Sequence, residues 1–118
     1  MEKLRKAVLE KSRELQLSLD AEGIIEVPNG KRLYVTFTHS REETDAVRGK
    51  LGELEKAILA SPQFKKLTNM EIKILGTRHA ASHSMSQINF DCYSARRTIG
   101  KRLQRIAERA RRRFGRGH

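Results

Sequence analysis

The residues best suited to chemistry are gathered at the end of the chain. The run ARRTIGKRLQRIAERARRRFGRGH, residues 95–118, is dominated by arginine. A guanidinium group carries several N–H donors in a rigid fork that matches phosphate oxygens, and it is more weakly hydrated than an ammonium group. Many such groups held together favour a partner that carries phosphate.

The positive charge of the chain is concentrated in the same place. The 118 residues carry a formal net charge of +11. Residues 94–118 hold ten cations and one acid, Glu108, and so account for +9, which leaves +2 for the other 93 residues. A cluster of one sign focuses electrostatic potential more strongly than evenly spread charge does. The distribution therefore indicates a polyanionic partner.

The basic run also has the period of an α-helix. Its apolar residues recur every three or four positions and form one stripe: Ile99, Leu103, Ile106, Ala110 and Phe114. We expect a helix over about 95–114, with Ser94 as its N-cap and a short flexible tail over 115–118. At 100° per residue the cations lie opposite this stripe or on its flank, so the helix can pack on a sheet and still expose them.

The spacing of the cations argues against an ordinary solvated helix face. Such faces mix signs, because like charges four residues apart oppose a helix by about a few tenths of a kcal/mol per pair. Arg97, Lys101 and Arg105 are like-charged neighbours at this spacing, and Arg109 and Arg113 continue the series. The helix dipole favours cations near the C-terminal end only, so it does not explain the earlier ones. A phosphate lattice would relieve the repulsion.

These patterns predict a non-enzymatic nucleic-acid-binding protein. Base-stacking platforms need exposed aromatic residues, and aromatic residues of any kind make up only 5% of this chain. Contact with a duplex backbone therefore fits better. Duplex DNA is the first expected partner and structured RNA the second. The predicted contact residues are Arg96, Arg97, Lys101, Arg102, Arg105, Arg109, Arg112 and Arg113, extended by Arg78, Lys31 and Arg32.

The remaining residues predict a small α+β domain. A short amphipathic helix over 2–14 comes first, and residues 15–20 fit either a continuation of this helix or a strand. Two β-rich runs, 24–27 and 32–38, flank Pro28-Asn29-Gly30-Lys31, where Asn-Gly is expected to supply the positive φ angles of a tight hairpin turn.

The second half of the domain repeats this order. A helix is expected over about 41–60, with Ser40 and Glu43 in capping-box spacing and Pro62 beyond its end. Strands are expected at 70–74 and from 87, separated by a loop over 76–86. We therefore predict one domain, 1–118, in the order α-ββ-α-ββ-α, with an antiparallel sheet and helices packed mainly on one face.

Other reactive residues are less informative. His79 and His83 stand four apart with Cys92 beyond them, but no C-x-x-C or H-E-x-x-H motif accompanies them, so no metal or cofactor is predicted. Tyr93 beside Arg96 lacks the further groups that a nucleophile needs, so no enzyme is predicted. Cys92 is expected to fill space in its strand, the alternative being a reactive thiol.

The same charge permits a second class of partner. An adaptor or inhibitor would dock the basic helix in an acidic groove of another protein. A helix lying on an anionic membrane is disfavoured, because Trp is absent and the apolar stripe is needed for the core.

No apolar stretch resembles a membrane span or a signal sequence, so a cytoplasmic protein is expected. A homodimer would suit duplex symmetry, and the sequence leaves this open.

Overall fold

A computed structural model describes residues 1–65 and 69–94. The predicted C-terminal helix, 95–114, and the tail after it lie outside the described residues. The elements are α1 (Glu2–Glu14), β1 (Ser18–Val27), β2 (Gly30–His39), a 3₁₀ turn (Arg41–Glu43), α2 (Thr44–Ala60), α3 (Pro62–Lys65), β3 (Met70–Ile74), β4 (Arg78–His79) and β5 (Ser84–Tyr93).

All strand pairs of the described residues are antiparallel. The order across the sheet is β1-β2-β5-β3, and the two-residue strand β4 pairs with β5 beyond the end of β3. The predicted α+β class with an antiparallel sheet is therefore confirmed. The loop predicted over 76–86 differs, because it contains β4 and because β5 begins at Ser84 instead of 87.

Alternation along the central strands places the core on one face of the sheet. Leu33, Val35 and Phe37 of β2 lie opposite Phe90, Ile88 and Ser86 of β5, and the five apolar members of this set are fully buried. Helices α1 and α2 cover them with a second set of buried side chains: Leu4, Val8, Val47, Leu51, Leu54 and Ile58. The apolar stripes of α1 and α2 thus belong to the same buried cluster as this face of the sheet.

The predicted hairpin is present, with a different turn. The loop contains Pro28 and Asn29, and Val27 pairs with Gly30, the first residue of β2. Within the turn only Asn29 has a positive φ, 70°. The third position of a type II turn requires this conformation, and proline is common at the second. Gly30 is needed for a different reason, since a Cβ there would overlap the backbone carbonyl of Cys92.

Residues 15–20 change from helix to strand at a left-handed residue. Helix α1 ends at Glu14, Gln16 has a φ of 58°, and β1 begins at Ser18. A residue in this conformation commonly follows the last turn of a helix. Leu15 and Leu17 then pack against the core, whereas Leu19 is 49% exposed. Of the three alternating leucines only Leu19 lies in a strand, so residues 15–17 connect the helix to β1.

The predicted capping box begins the second helical region. The carboxylate of Glu43 accepts a hydrogen bond from the backbone N–H of Ser40 at 3.1 Å. The chain then makes one 3₁₀ turn before α2 proper starts at Thr44. The expected helix over about 41–60 is therefore a 3₁₀ turn followed by an α-helix. No helix of the described residues is long and apolar enough to cross a membrane.

An ion pair joins the first helix to the edge strand. Arg5 of α1 donates from Nε and Nη2 to the two carboxylate oxygens of Glu22 on β1, at 2.6 and 2.7 Å. Hydrogen bonding to Arg5 is the main cause that lowers the pKa of Glu22. Two parallel bonds also fix the angle between the helix and the strand.

Replacing Glu22 with Gln is expected to make stability less dependent on pH. A carboxylate whose pKa is lower in the folded state contributes stability above its unfolded pKa, about 4.3, and loses this contribution as pH falls through the folded pKa. Urea titrations at about pH 7 and about pH 3 should show Glu22→Gln less stable than wild type at neutral pH, with a smaller deficit in acid. An equal deficit at both values would contradict the role of this pair.

Candidate nucleic-acid interface

The Arg-rich segment, residues 95–118, joins the body beside the hairpin turn. Strand β5 ends at Tyr93, and the backbone N–H of Ser94 donates to the carbonyl of Asn29 at 3.4 Å. We call the end of the strands that carries the turn at Pro28 and Asn29 the hairpin end. The opposite end of the same strands, where His39 pairs with Ser84, is the far end. The predicted contacts in the Arg-rich segment lie outside the described residues: Arg96, Arg97, Lys101, Arg102, Arg105, Arg109, Arg112 and Arg113.

Lys31 lies at the hairpin end and is exposed. It pairs with Glu26 across the hairpin and with Cys92 on β5. Together with Cys92 and Ser94 it lines an open depression of about 640 Å³. Lys31 is therefore the member of the predicted set that the structure places next to the start of the Arg-rich segment.

Arg32 has an internal partner. Its Nε donates to Oδ1 of Asp91 at 2.7 Å and its Nη2 to Oδ2 at 3.0 Å. The Asp91 side chain is 4% exposed, and hydrogen bonding to it is the main cause that raises the pKa of Arg32. This fork holds β2 to β5 on the sheet face opposite the core, so only the remaining N–H groups of Arg32 are left for a phosphate.

Removing this arginine is expected to destabilise the fold. Arg32→Ala leaves the Asp91 carboxylate buried without its bidentate donor, which costs about 1–3 kcal/mol. Chemical denaturation of Arg32→Ala would measure the loss, and Lys31→Ala is the matched control, since Lys31 is the exposed neighbour. Equal stability of the two variants would show that the fork contributes little.

Arg78 lies at the far end of the sheet. It is exposed on β4 and pairs with Met85, whereas Lys31 pairs with Cys92. These partners are seven positions apart on β5, a distance of roughly 23 Å at about 3.3 Å per residue. The Arg-rich segment follows Ser94 at the hairpin end, and we call this point its exit. Lys31 and Arg32 thus lie near the exit, whereas Arg78 lies at the far end.

The histidines and the cysteine do not form a ligand set. His79 Nδ1 lies 2.6 Å from Ser84 Oγ, and His83 Nδ1 lies 2.9 Å from Ser82 Oγ, both at the far end. Cys92 is at the hairpin end, eight positions along β5 from Ser84. No group of three His, Cys, Asp or Glu residues with metal-binding geometry occurs among the described residues.

A buried polar network at the far end was not anticipated from the sequence. His39 Nε2 lies 2.8 Å from Ser86 Oγ, which lies 2.8 Å from Thr77 Oγ1. His39 Nδ1 is 2.7 Å from the carbonyl of Ser40, so both ring nitrogens have partners. A serine beside a histidine can act as a nucleophile, but Ser86 is 1% exposed and a substrate cannot reach it. The network satisfies buried polar groups.

The two residues considered as nucleophiles are held in their protonated forms. Burial is the main cause that raises the pKa of the Cys92 thiol and of the Tyr93 phenol. The Tyr93 hydroxyl also donates to Oδ2 of Asp91 at 3.5 Å, a long contact. Cys92 packs against the core, as expected for a residue that fills space.

Sequence reasoning missed two further cations near the exit. Lys3 and Lys6 are exposed on α1, and Lys3 lines a depression of about 370 Å³ with Phe64 and Cys92. The helical pattern of residues 2–14 indicated which residues face the core, but nothing local to α1 showed that its first turn lies beside β5. That contact depends on the tertiary structure.

The chain was also compared with known proteins. No protein-family model, no curated protein and no solved structure matches it.

Proposed function

We propose that this protein binds nucleic acid without catalysing a reaction, and that the Arg-rich segment contacts the phosphate backbone of duplex DNA. The observation that carries the proposal is the charge of +9 within residues 94–118. Each cation that neutralises a phosphate releases condensed counterions, so affinity rises with the number of contacts. Sequence-independent binding that weakens in salt is the expected behaviour.

The protein as a whole cannot neutralise its net charge of +11 internally. The chain has 25 Lys and Arg residues and 14 Asp and Glu residues, so at least 11 cations lack a carboxylate even if every acid pairs with one. Several acids already have partners within the body, among them Glu22 with Arg5 and Asp91 with Arg32. The surplus supports a polyanionic partner from outside the molecule.

The aromatic residues support a duplex over a single strand. Phe37, Phe64 and Phe90 are buried in the core. Tyr34 lies over Gly23, where a Cβ would come within 2.7 Å of its hydroxyl, and this contact occupies one side of the ring. Single-strand binding generally uses exposed rings on which bases stack. Backbone contact with duplex DNA, and with structured RNA as the second choice, needs no such rings.

A titration of the full chain tests the proposal. We expect a short labelled duplex to bind more tightly than the single strand of the same sequence, with affinity falling steeply from about 50 to about 200 mM salt. Duplex competitor should displace the labelled duplex more effectively than heparin at equal charge. Absence of duplex binding at the lowest salt would refute the proposal.

The same titration separates the alternative partner. If duplex and heparin compete equally at equal charge, the binding is non-selective, and an acidic protein surface becomes the better candidate for the basic segment.

We also propose a cytoplasmic location, because the single cysteine, Cys92, is free and suits a reducing compartment. Self-association stays a prediction.

A further inference from the structure

Three exposed lysines of the body surround the exit of the Arg-rich segment. Lys31 lines the depression that also contains Cys92 and Ser94. Lys3 lines a second depression, and Cys92 contributes to both. Lys3 and Lys6 together line a third, of about 280 Å³. Neighbouring depressions thus connect the three lysines along one end of the molecule.

These lysines have no ion-pair partner among the described residues. The ion pairs there involve Arg5, Lys11, Arg32 and Lys73 instead. Three acids lie nearby. Glu26 pairs with Lys31 across the hairpin, and Glu2 and Glu10 line a depression with Lys3 and Lys6. Glu2 forms its ion pair with Arg5, and within the described part of the chain no ion pair joins any of the three acids to these lysines. The amino groups are therefore available to an external anion.

The far end carries charges of both signs, among them the cations Arg41, Arg48 and Arg78. Acids are concentrated where α2 begins, at Glu42, Glu43 and Asp45, and the edge strand adds Asp20. Phosphates approaching that end would meet carboxylates beside the arginines. At the hairpin end they would meet the three lysines and the segment that carries most of the net charge.

We infer that Lys3, Lys6 and Lys31 form the body's part of the nucleic-acid interface, contacting duplex phosphates next to those bound by the Arg-rich segment. This inference rests on the proposed function and names residues that extend the same site. The first two turns of α1 and the start of β2 present the lysines from regular secondary structure. Contacts from such elements orient the duplex on the body, because phosphate contacts fix register and orientation.

The test compares two triple variants of the full chain. One replaces Lys3, Lys6 and Lys31 with Gln at the hairpin end. The matched control replaces Arg41, Arg48 and Lys50 with Gln, which removes the same charge from α2 and the turn before it, away from that end. All six substitutions are on the surface, so both variants should unfold close to the wild-type midpoint, which thermal denaturation would check.

We expect the slope of log affinity against log salt to fall by about 2–3 units in the lysine variant, at about 0.9 per lost phosphate contact, and by less than about one unit in the control. Equal slopes in the two variants, or an unchanged slope in the lysine variant, would overturn the inference while leaving duplex binding intact. Absence of duplex binding by the wild-type chain would instead refute the proposed function.

Discussion

Replacing Arg97, Lys101 and Arg105 together with Gln is expected to weaken duplex DNA binding by roughly 10²–10³-fold at about 0.1 M salt. The three residues follow each other at intervals of four in the basic run. If each neutralises one phosphate, the slope of log affinity against log salt should fall by about three units. Fluorescence anisotropy of a labelled duplex across a salt series would measure both quantities.

A charge-preserving variant separates charge from hydrogen-bonding geometry. Exchanging Arg97 and Arg105 for Lys, and Lys101 for Arg, keeps the net charge and should keep the salt slope. Its affinity should still fall modestly, because an ammonium group cannot form the bidentate contact of a guanidinium group. If the Gln variant binds duplex as tightly as wild type, the Arg-rich segment is not the interface.

Phe90→Ala is expected to cause the largest loss of stability in the body, about 3–5 kcal/mol. Phe90 is fully buried and lies between Leu33 on β2 and Ile72 on β3 in the registered sheet. Removing the ring leaves a cavity where β5 meets both of its neighbours and the helices above them. Urea denaturation at neutral pH would measure the change in the free energy of unfolding.

Leu59→Ala is the control for this experiment. Leu59 is also a large apolar residue, but it is 49% exposed on α2, so its truncation should change stability by about 0.5 kcal/mol or less. Comparable losses in Phe90→Ala and Leu59→Ala would mean that the core does not lie between this face of the sheet and the helices.

The local elements could be predicted because their signals are short-range. The Ser40 and Glu43 spacing predicted the capping box, and alternation predicted the strands that contain Phe37 and Phe90. The hairpin followed from two β-rich runs around Pro28 and Asn29. Hydrogen bonds within a helix or a hairpin connect residues a few positions apart, so their chemistry is visible in a short window of sequence.

The sequence by itself determined where the charge is concentrated, and its alternation predicted the core-facing residues of the strands that contain Phe37 and Phe90. Only the tertiary structure decided which residues lie next to the cations of the body. The sequence predicted Arg32 as a phosphate contact, and the pairing of β2 with β5 adds an internal partner, Asp91, which lies 59 residues away in the sequence. Lys3 belongs to the inferred interface because α1 begins beside the end of β5. Such partnerships depend on strand register and helix packing, and these are set by the burial of the whole apolar face rather than by neighbours in sequence.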